Sequence, residues 1–303
     1  MRTLRESATS LPRWRVWILA ARPKTLAASV APVLMGSTMA WTDGGFHLPS
    51  ALLALVGALL IQIGTNFAND YADFLKGADT AMRKGPLRVT AAGWVTPEAM
   101  RRATALTFAL AVVAGLYLIW RGGWPVLAIG LLSILFGILY TSGRYALAYI
   151  GLGELFVLIF FGPVAVGGTY YVQTLSITKE VLVMGLAPGL IATGILLVNN
   201  VRDLEEDRHA GKRTPVVRFG RAFGVGLYAC CLLGALALPV LWFWATWRHG
   251  GAMAVLALLP ATVRAVRTLA EHTEAAVLNA LLAGTGRLLL VYSVLFSIGW
   301  VLT

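Results

Sequence analysis

Long apolar runs separated by short polar segments dominate the chain. Several of these runs have about 17 to 25 residues, the length at which an α-helix crosses the roughly 30 Å hydrocarbon core of a bilayer. The pattern therefore predicts an all-α polytopic membrane protein, a bundle of nine transmembrane helices. The predicted spans are 25–42, 50–68, 98–120, 124–141, 150–172, 180–200, 222–245, 251–268 and 285–302.

The distribution of basic residues predicts the orientation of this bundle. The formal net charge of +11 raises the question of nucleic acid, but 58% of the residues are hydrophobic and only 13% are charged. With the N-terminus inside, 22 of the 25 Lys and Arg residues fall on the cytoplasmic side, and only Arg121, Lys179 and Arg248 fall outside. Short cytoplasmic loops collect positive charge. This favours a bacterial cytoplasmic (inner) membrane protein with an external C-terminus, membrane lipid around it and no nucleic-acid partner.

Asn and Asp residues cluster at the ends of the second and sixth predicted spans. An isolated carboxylate inside a bilayer costs about 2.5 to 3.5 kcal/mol on insertion scales, so grouped acids indicate a compensating cation or a water-filled cavity. Asn69 and Asp73 stand four positions apart. Asn199, Asp203 and Asp207 repeat that step twice. On a continuous helix each set lines one face, and two opposed faces predict a site for hard divalent cations.

Basic residues follow both acidic clusters and indicate a phosphorylated substrate. Lys76 follows the first cluster, Lys212 follows the second, and Arg22 precedes the first span. Mg²⁺ prefers carboxylate and phosphate oxygens, and Lys and Arg bind the remaining phosphate oxygens. We therefore expect a cytoplasm-facing active-site cavity that binds a polyphosphate through Mg²⁺, within a single domain over residues 1–303 whose residues 1–21 form a cytoplasmic N-terminal segment.

Two motifs carry a family resemblance that covers essentially the whole chain. The chain resembles the UbiA-type intramembrane prenyltransferases, whose acidic motifs read N-x-x-x-D-x-x-x-D and D-x-x-x-D. Asn199, Asp203 and Asp207 fit the second motif, whereas the first has Gly77 in place of an Asp, with Asp79 two positions later. The run from Asn69 to Asp79, together with R-P-K-T at 22–25, G-P-L-R at 85–88 and R-D-x-x-x-D-x-x-x-G-K-x-T at 202–214, is similar to the branch that prenylates 1,4-dihydroxy-2-naphthoate.

The resemblance implies a reaction and a set of site residues. In that branch a polyprenyl diphosphate ionises, and its chain replaces the carboxylate of 1,4-dihydroxy-2-naphthoate with loss of carbon dioxide and pyrophosphate, giving demethylmenaquinone. Two Mg²⁺ ions are expected to bridge the diphosphate. The implied metal ligands are Asn66, Asn69, Asp70, Asp73, Asp79, Asn199, Asp203 and Asp207. The catalytic residues are expected to be Asp73, Asp203, Asp207 and Lys76. The implied substrate contacts are Arg22, Lys24, Arg83, Tyr140, Arg144 and Lys212.

Other functions fit part of the same pattern. Members of this superfamily also use 4-hydroxybenzoate or homogentisate as acceptor, or a phytyl donor. A cation-coupled transporter is the alternative from another class, but its acids should lie near the membrane midplane. A CDP-alcohol phosphatidyltransferase concentrates its acids in one motif, whereas this chain has two. The acids at span ends, surrounded by Lys and Arg, favour the prenyltransferase.

Overall fold

The structure is a computed structural model that describes residues 12–77, 85, 88–143 and 146–303. The described residues are helical, with no β-strand among them. A π-helical turn, Phe160–Val164, and a 3₁₀ helix, Gly250–Leu258, lie between α-helices. In chain order the helices are α1 (Arg13–Ala21), α2 (Pro23–Thr42), α3 (Leu48–Leu75), α4 (Pro97–Gly122), α5 (Trp124–Leu139), α6 (Leu147–Ile150), α7 (Gly153–Ile159), α8 (Ala165–Thr174), α9 (Lys179–Arg202), α10 (Leu204–His209), α11 (Pro215–Phe219), α12 (Arg221–Thr246), α13 (Leu259–Glu271) and α14 (Ala275–Val301).

Local sequence signals set the first residues of several helices. The Thr96 hydroxyl accepts a hydrogen bond from the Ala99 backbone N–H, and Pro97 occupies the first helical position of α4. The Thr178 hydroxyl accepts in the same way from the Val181 N–H at the start of α9. A hydroxyl at the N-cap satisfies a backbone donor that has no partner within the helix. These caps fix where the apolar segments begin.

Seven segments of the described chain are long and apolar enough to cross a membrane. By length and composition they agree with the multi-pass protein that the hydropathy pattern predicts. They are Leu48–Leu75, Pro97–Gly122, Gly153–Thr174, Lys179–Arg202, Arg221–Thr246, Gly250–Glu271 and Ala275–Val301.

The predicted number of nine spans is not confirmed. The predicted span at 124–141 becomes α5, whose 16 residues are only about 24 Å long at 1.5 Å per residue. The first predicted span becomes part of a bent pair, because α1 and α2 meet at 52°. The bend lies at Arg22, which has a φ of 53° and precedes Pro23. Proline disfavours the α region for the residue before it, so the helix breaks there.

Helix α9 forms the centre of the bundle and packs against α7, α12 and α14. Most of its apolar length is buried. Opposite it, Gly162 has non-helical dihedral angles and Pro163 lacks a backbone N–H, which explains the π-helical break between α7 and α8. Gly162 lies against Gly189 of α9, where the two backbones touch. This contact keeps α9 and the break between α7 and α8 close together near the middle of α9.

Candidate active site

The first polar cluster lies in the last turns of α3. Asn66, Asn69, Asp70 and Asp73 are all buried there. The Asp73 carboxylate forms an ion pair with Arg88 at 2.5 Å, and both side chains are largely shielded from solvent. Breaking such a buried pair by removing one partner is costly, because the other charge stays buried. Asp73 is therefore held against Arg88, at the start of the turn that precedes α4.

Asn66 and Asn69 bind two other parts of the chain. The Asn69 side-chain oxygen accepts a hydrogen bond of 2.6 Å from the Thr141 hydroxyl. The Asn66 amide donates to the Ala21 carbonyl at 2.9 Å and to the Thr25 hydroxyl at 3.1 Å. These bonds join the end of α3 to the segment after α5 and to the break between α1 and α2.

Asp70 has a different environment from its neighbours. Its two carboxylate oxygens accept hydrogen bonds from the backbone N–H groups of Val89 and Thr90, at 3.2 and 3.1 Å. Both oxygens thus hold the turn that begins at Arg88. This geometry favours a structural role for Asp70 over the metal ligand that the sequence pattern suggested.

The second polar cluster begins at the end of α9. Asp203 lies at the junction of α9 and α10, where both of its oxygens accept hydrogen bonds of 2.6 Å from Arg202. Asp207 is buried and pairs with Lys212 at 2.6 Å. Burial acts to lower the pKa of the Lys212 ammonium, but the Asp207 carboxylate outweighs this and the pKa is raised. Lys212 therefore stays charged beside Asp207.

Residues 140–143 and 146–152, called the segment 140–152 below, contact both clusters. Burial raises the pKa of the Tyr140 hydroxyl, and the negative charges of Glu154, Asp207 and Asp73 raise it further. Because Asp73 comes from α3 and Asp207 from α10, this hydroxyl senses both clusters at once. The Lys76 ammonium donates a hydrogen bond to the Thr141 carbonyl at 2.5 Å. Side chains from both clusters thus contact this segment, since Asn69 bonds to Thr141 and Lys212 lies beside the Tyr149 ring.

Backbone contacts fix the segment over the second cluster. The Arg213 N–H donates to the Tyr149 carbonyl at 2.8 Å. Gly151 has a φ of 83°, and a Cβ there would lie 2.3 Å from the Arg213 carbonyl oxygen. Only glycine accommodates both the left-handed conformation and the close approach. The segment is thus tied to the loop that carries Lys212.

An apolar cavity of about 430 Å³ opens beneath the polar clusters. Its walls come mainly from α2, α3, α4, α5, α8 and α9, and include the packed rings of Phe136, Phe156 and Phe160. Its polar end is lined by Arg22, Asn66, Asn69, Tyr140 and Asn199. The cavity therefore joins oxygen and basic groups at one end to hydrocarbon side chains along its length.

Not every residue of the sequence prediction lies at this junction. Lys24 is exposed in the first turn of α2 and does not line the cavity. Asp79, Arg83 and Arg144 lie outside the described residues, so their place in the site stays a prediction. Lys76 donates a hydrogen bond to the Thr141 carbonyl and Lys212 pairs with Asp207, and their role in substrate binding stays a prediction.

The donor set suits Mg²⁺ even though the acids are not gathered into a ready-made cage. Within the described residues, no group of three or more His, Cys, Asp or Glu side chains is placed to hold a metal ion. Mg²⁺ is usually bound by one or two carboxylates, water and substrate phosphates, so such a group is not required. Asp73, Asp207 and the amide oxygens of Asn69 and Asn199 are hard oxygen donors of the appropriate kind.

The structure adds residues that the sequence reasoning did not assign to the site. Glu154 is buried in α7, and its carboxylate accepts a 2.7 Å hydrogen bond from the Asn200 amide. A charged residue in an apolar span was the signal that could have identified it, because such residues are expensive in a membrane. Arg88 and Thr141 hold Asp73 and Asn69, and only the folded chain brings these pairs together.

Comparison with known proteins identifies the family. A family model described as the UbiA prenyltransferase family matches residues 29–279. The chain belongs to this family. The 1,4-dihydroxy-2-naphthoate octaprenyltransferase of Escherichia coli is 35% identical to this UbiA protein, over 95% of this chain and 96% of that one. The enzyme of the same name from Mycobacterium tuberculosis is 36% identical, over 91% of this chain and 94% of that one.

Solved structures show the same fold. A UbiA homolog from Archaeoglobus fulgidus superimposes with a TM-score of 0.64 and 14% identity, over 95% of this chain and all of that one. Two structures of that homolog contain Mg²⁺ together with DMAPP or GPP. With its seven apolar segments, this UbiA family member is a multi-pass membrane protein and an enzyme of the prenyltransferase class.

Proposed function

We propose that this chain transfers a polyprenyl group from an allylic polyprenyl diphosphate to 1,4-dihydroxy-2-naphthoate. Carbon dioxide and pyrophosphate leave, and the product is demethylmenaquinol, the reduced form of the demethylmenaquinone of menaquinone biosynthesis. The relatives from Escherichia coli and Mycobacterium tuberculosis that carry this substrate in their names match almost the full length of the chain. The observation that carries the proposal is an apolar cavity whose polar end is lined by Arg22, Asn69 and Asn199. The carboxylates Asp73 and Asp203 lie one helical turn beyond those two asparagines. A polyprenyl diphosphate requires polar and charged residues for its diphosphate and an apolar cavity for its hydrocarbon chain.

Oxygen donors from both clusters are proposed to hold Mg²⁺, as two ions. When bound, Mg²⁺ supplies positive charge that stabilises the departing pyrophosphate. The Mg²⁺ found with prenyl diphosphates in the Archaeoglobus fulgidus homolog supports this assignment. Asn66 and Asp79 are weaker candidates, and we reassign Asp70 to its backbone contacts. The proposed ligands are Asn69, Asp73, Asn199, Asp203 and Asp207.

The basic residues are proposed to bind the diphosphate directly. The ammonium groups of Lys76 and Lys212 both lie over the Tyr149 ring, and Tyr140 lines the cavity's polar end. Fixed cations aimed at the leaving group lower the barrier, because they need no reorganisation as charge develops. Arg22, Arg83 and Arg144 are further proposed diphosphate contacts. Lys24 is proposed to meet the carboxylate of the aromatic acceptor.

The apolar walls are proposed to hold the polyprenyl chain and to exclude water. Ionisation of the donor leaves an allylic cation that water would capture, so the reaction needs a dry cavity. Phe136, Phe156 and Phe160 form a packed aromatic wall of that cavity. The aromatic acceptor then attacks the cation, and carbon dioxide leaves from the ring carbon that carried the carboxylate.

The orientation in the membrane is part of the proposal. We infer one domain over residues 1–303 in a bacterial cytoplasmic membrane, with nine spans if α1 and α2 form one bent span and the short α5 another. The cytoplasmic excess of Lys and Arg supports a cytoplasmic N-terminus, an external C-terminus and a site that opens to the cytoplasm. The side of the membrane on which each loop lies can be tested by cysteine labelling. Single cysteines are placed in the loops of a variant without native cysteines and labelled from one side.

The decisive experiment is prenyl transfer by the purified full-length protein in detergent. The reaction contains 1,4-dihydroxy-2-naphthoate, a polyprenyl diphosphate and Mg²⁺, and the products are a prenylated naphthoquinol and carbon dioxide. Asp73→Ala and Asp203→Ala should each abolish turnover. Asp43→Ala is the matched control, because Asp43 accepts a hydrogen bond from Tyr170 away from both clusters, and it should retain activity.

Other outcomes separate the remaining alternatives. Turnover with 4-hydroxybenzoate or homogentisate but not with the naphthoate would keep prenyl transfer and exclude the proposed acceptor. A preference for phytyl diphosphate would change the donor alone. No turnover with any aromatic acceptor, combined with cation-driven uptake into proteoliposomes, would replace the enzyme by a transporter.

A further inference from the structure

The aromatic ring of Tyr149 contacts one basic side chain from each of the two polar clusters. The Lys76 ammonium lies 4.2 Å from the centre of the Tyr149 ring, and the Lys212 ammonium lies 5.5 Å from it. Lys76 follows α3, whereas Lys212 follows α10. Tyr149 is thus a single group that contacts the basic residues of both clusters.

Two ammonium groups on one ring require compensation, because like charges repel. The negative face of an aromatic ring attracts a cation within about 6 Å of its centre. Each ammonium also has an oxygen partner, the Thr141 carbonyl for Lys76 and the Asp207 carboxylate for Lys212. Ring and oxygen together hold each flexible lysine side chain in a defined place.

The ring itself is held in place by its backbone. Tyr149 lies in the four-residue helix α6, and its carbonyl accepts a hydrogen bond from the Arg213 N–H. The next carbonyl, that of Ile150, accepts from the Arg218 side chain at 3.1 Å. Gly151 lets this segment approach Arg213 closely. The ring is therefore anchored to the same loop that carries Lys212.

We propose that Tyr149 is a positioning residue whose ring aims Lys76 and Lys212 at one diphosphate. The inference rests on the proposed function, because it assumes that a diphosphate is the common target. Lysine is a flexible point charge, and pre-ordering two of them removes part of the entropic cost of binding. The ring's negative face carries this role, so a ring without the hydroxyl should suffice.

The test replaces Tyr149 in the full-length protein by Phe, by Leu and by phenylalanines with one, two and three fluorine atoms. Fluorination withdraws charge from the ring face and leaves its shape nearly unchanged. Two quantities are measured: the affinity for inorganic pyrophosphate with Mg²⁺ by calorimetry, and KM and kcat for the polyprenyl diphosphate. Tyr117→Leu is the control, because Tyr117 packs against Trp120 in α4, away from the site.

Tyr149→Phe should bind pyrophosphate within about twofold of the parent, and Tyr149→Leu roughly tenfold more weakly, which corresponds to a cation–π contribution of the usual size. Affinity should fall stepwise with each added fluorine, and KM for the donor should rise in parallel. If the ring only fills space, the affinity for pyrophosphate should be the same at every degree of fluorination. A loss in Tyr149→Phe equal to that in Tyr149→Leu would assign the effect to the hydroxyl.

The two measurements separate this inference from the proposed function. If the parent binds pyrophosphate but does not prenylate the naphthoate, the acceptor assignment fails while the fluorination series still decides the role of Tyr149. If the parent prenylates the naphthoate but the pyrophosphate affinity is the same in all the fluorinated variants, the proposed function stands and the positioning role of Tyr149 is refuted. The thermal stability of each variant shows whether Tyr149→Leu remains folded.

Discussion

Replacing Gly189 by Ala should loosen the centre of the bundle. A Cβ at position 189 would lie 2.3 Å from the Leu158 carbonyl oxygen and 2.9 Å from the Gly162 Cα. Both obstacles are backbone atoms, so no side-chain rotation relieves them. To reach an ordinary contact distance of about 3.4 Å, α9 and the break between α7 and α8 must separate by about 1 Å.

The expected cost follows from two opposing terms. Overpacking of a tight interior costs about 1 to 3 kcal/mol, because the neighbours must shift as rigid pieces. Alanine also favours a helix over glycine by about 0.5 to 1 kcal/mol, which offsets part of this. A net loss of about 1 to 2 kcal/mol should lower the Tm by roughly 2 to 8 °C. Gly185→Ala should cost less, because its Cβ would lie 3.0 Å from the Pro163 Cα.

Thermal unfolding of the purified protein in one detergent measures this effect. Gly226→Ala is the matched control, since a Cβ there meets no atom within 4 Å on the surface of α12. The control should be as stable as the parent or slightly more so. If Gly189→Ala unfolded at the temperature of the control, the close backbone contact would not exist and the argument would be refuted.

Further predictions concern buried polar groups and the metal. Glu154→Leu leaves the Asn200 amide buried without its carboxylate, so thermal unfolding should show a loss of about 1 to 3 kcal/mol, and adding Asn200→Leu should recover part of it. Asp70→Ala removes the acceptor of two backbone N–H groups, those of Val89 and Thr90. Limited proteolysis should then cut this turn faster than in the parent. An unchanged rate of cleavage would contradict the structural role of Asp70. EDTA should abolish prenyl transfer and Mg²⁺ should restore it, while activity that survives chelation would exclude a metal role.

Sequence patterns predicted the features that depend on local spacing. Apolar length alone places most of the helices, because a bilayer demands about 20 apolar residues per span. The four-residue steps from Asn69 to Asp73 and from Asn199 to Asp203 predicted which polar groups share a helix face. The α1 segment was expected only as part of the cytoplasmic segment 1–21, whereas the structure makes residues 13–21 helical.

The contacts that distinguish neighbouring acids could not be predicted in this way. Asp70 and Asp73 lie on adjacent turns of one helix, and their roles differ because one meets backbone N–H groups and the other meets Arg88. Those partners come from a turn about twenty residues further along the chain. The meeting of Lys76 and Lys212 on one ring likewise depends on how three separate segments pack, and no spacing within a single segment encodes it.

The ion pairs of the site have a consequence for substrate entry and product exit. Arg88, Arg202 and Lys212 already neutralise Asp73, Asp203 and Asp207 before any substrate arrives. Under the proposed assignment, binding of a magnesium diphosphate would exchange these partners, because the acidic side chains would bind the metal and the basic side chains would bind the phosphate groups. The reverse exchange would favour release of pyrophosphate, because the acidic and basic side chains of the protein would form their ion pairs again. The affinity of such a site for the magnesium diphosphate would reflect the free-energy difference between two sets of ion pairs. One set lies within the protein, and the other is made with the metal and the phosphate groups.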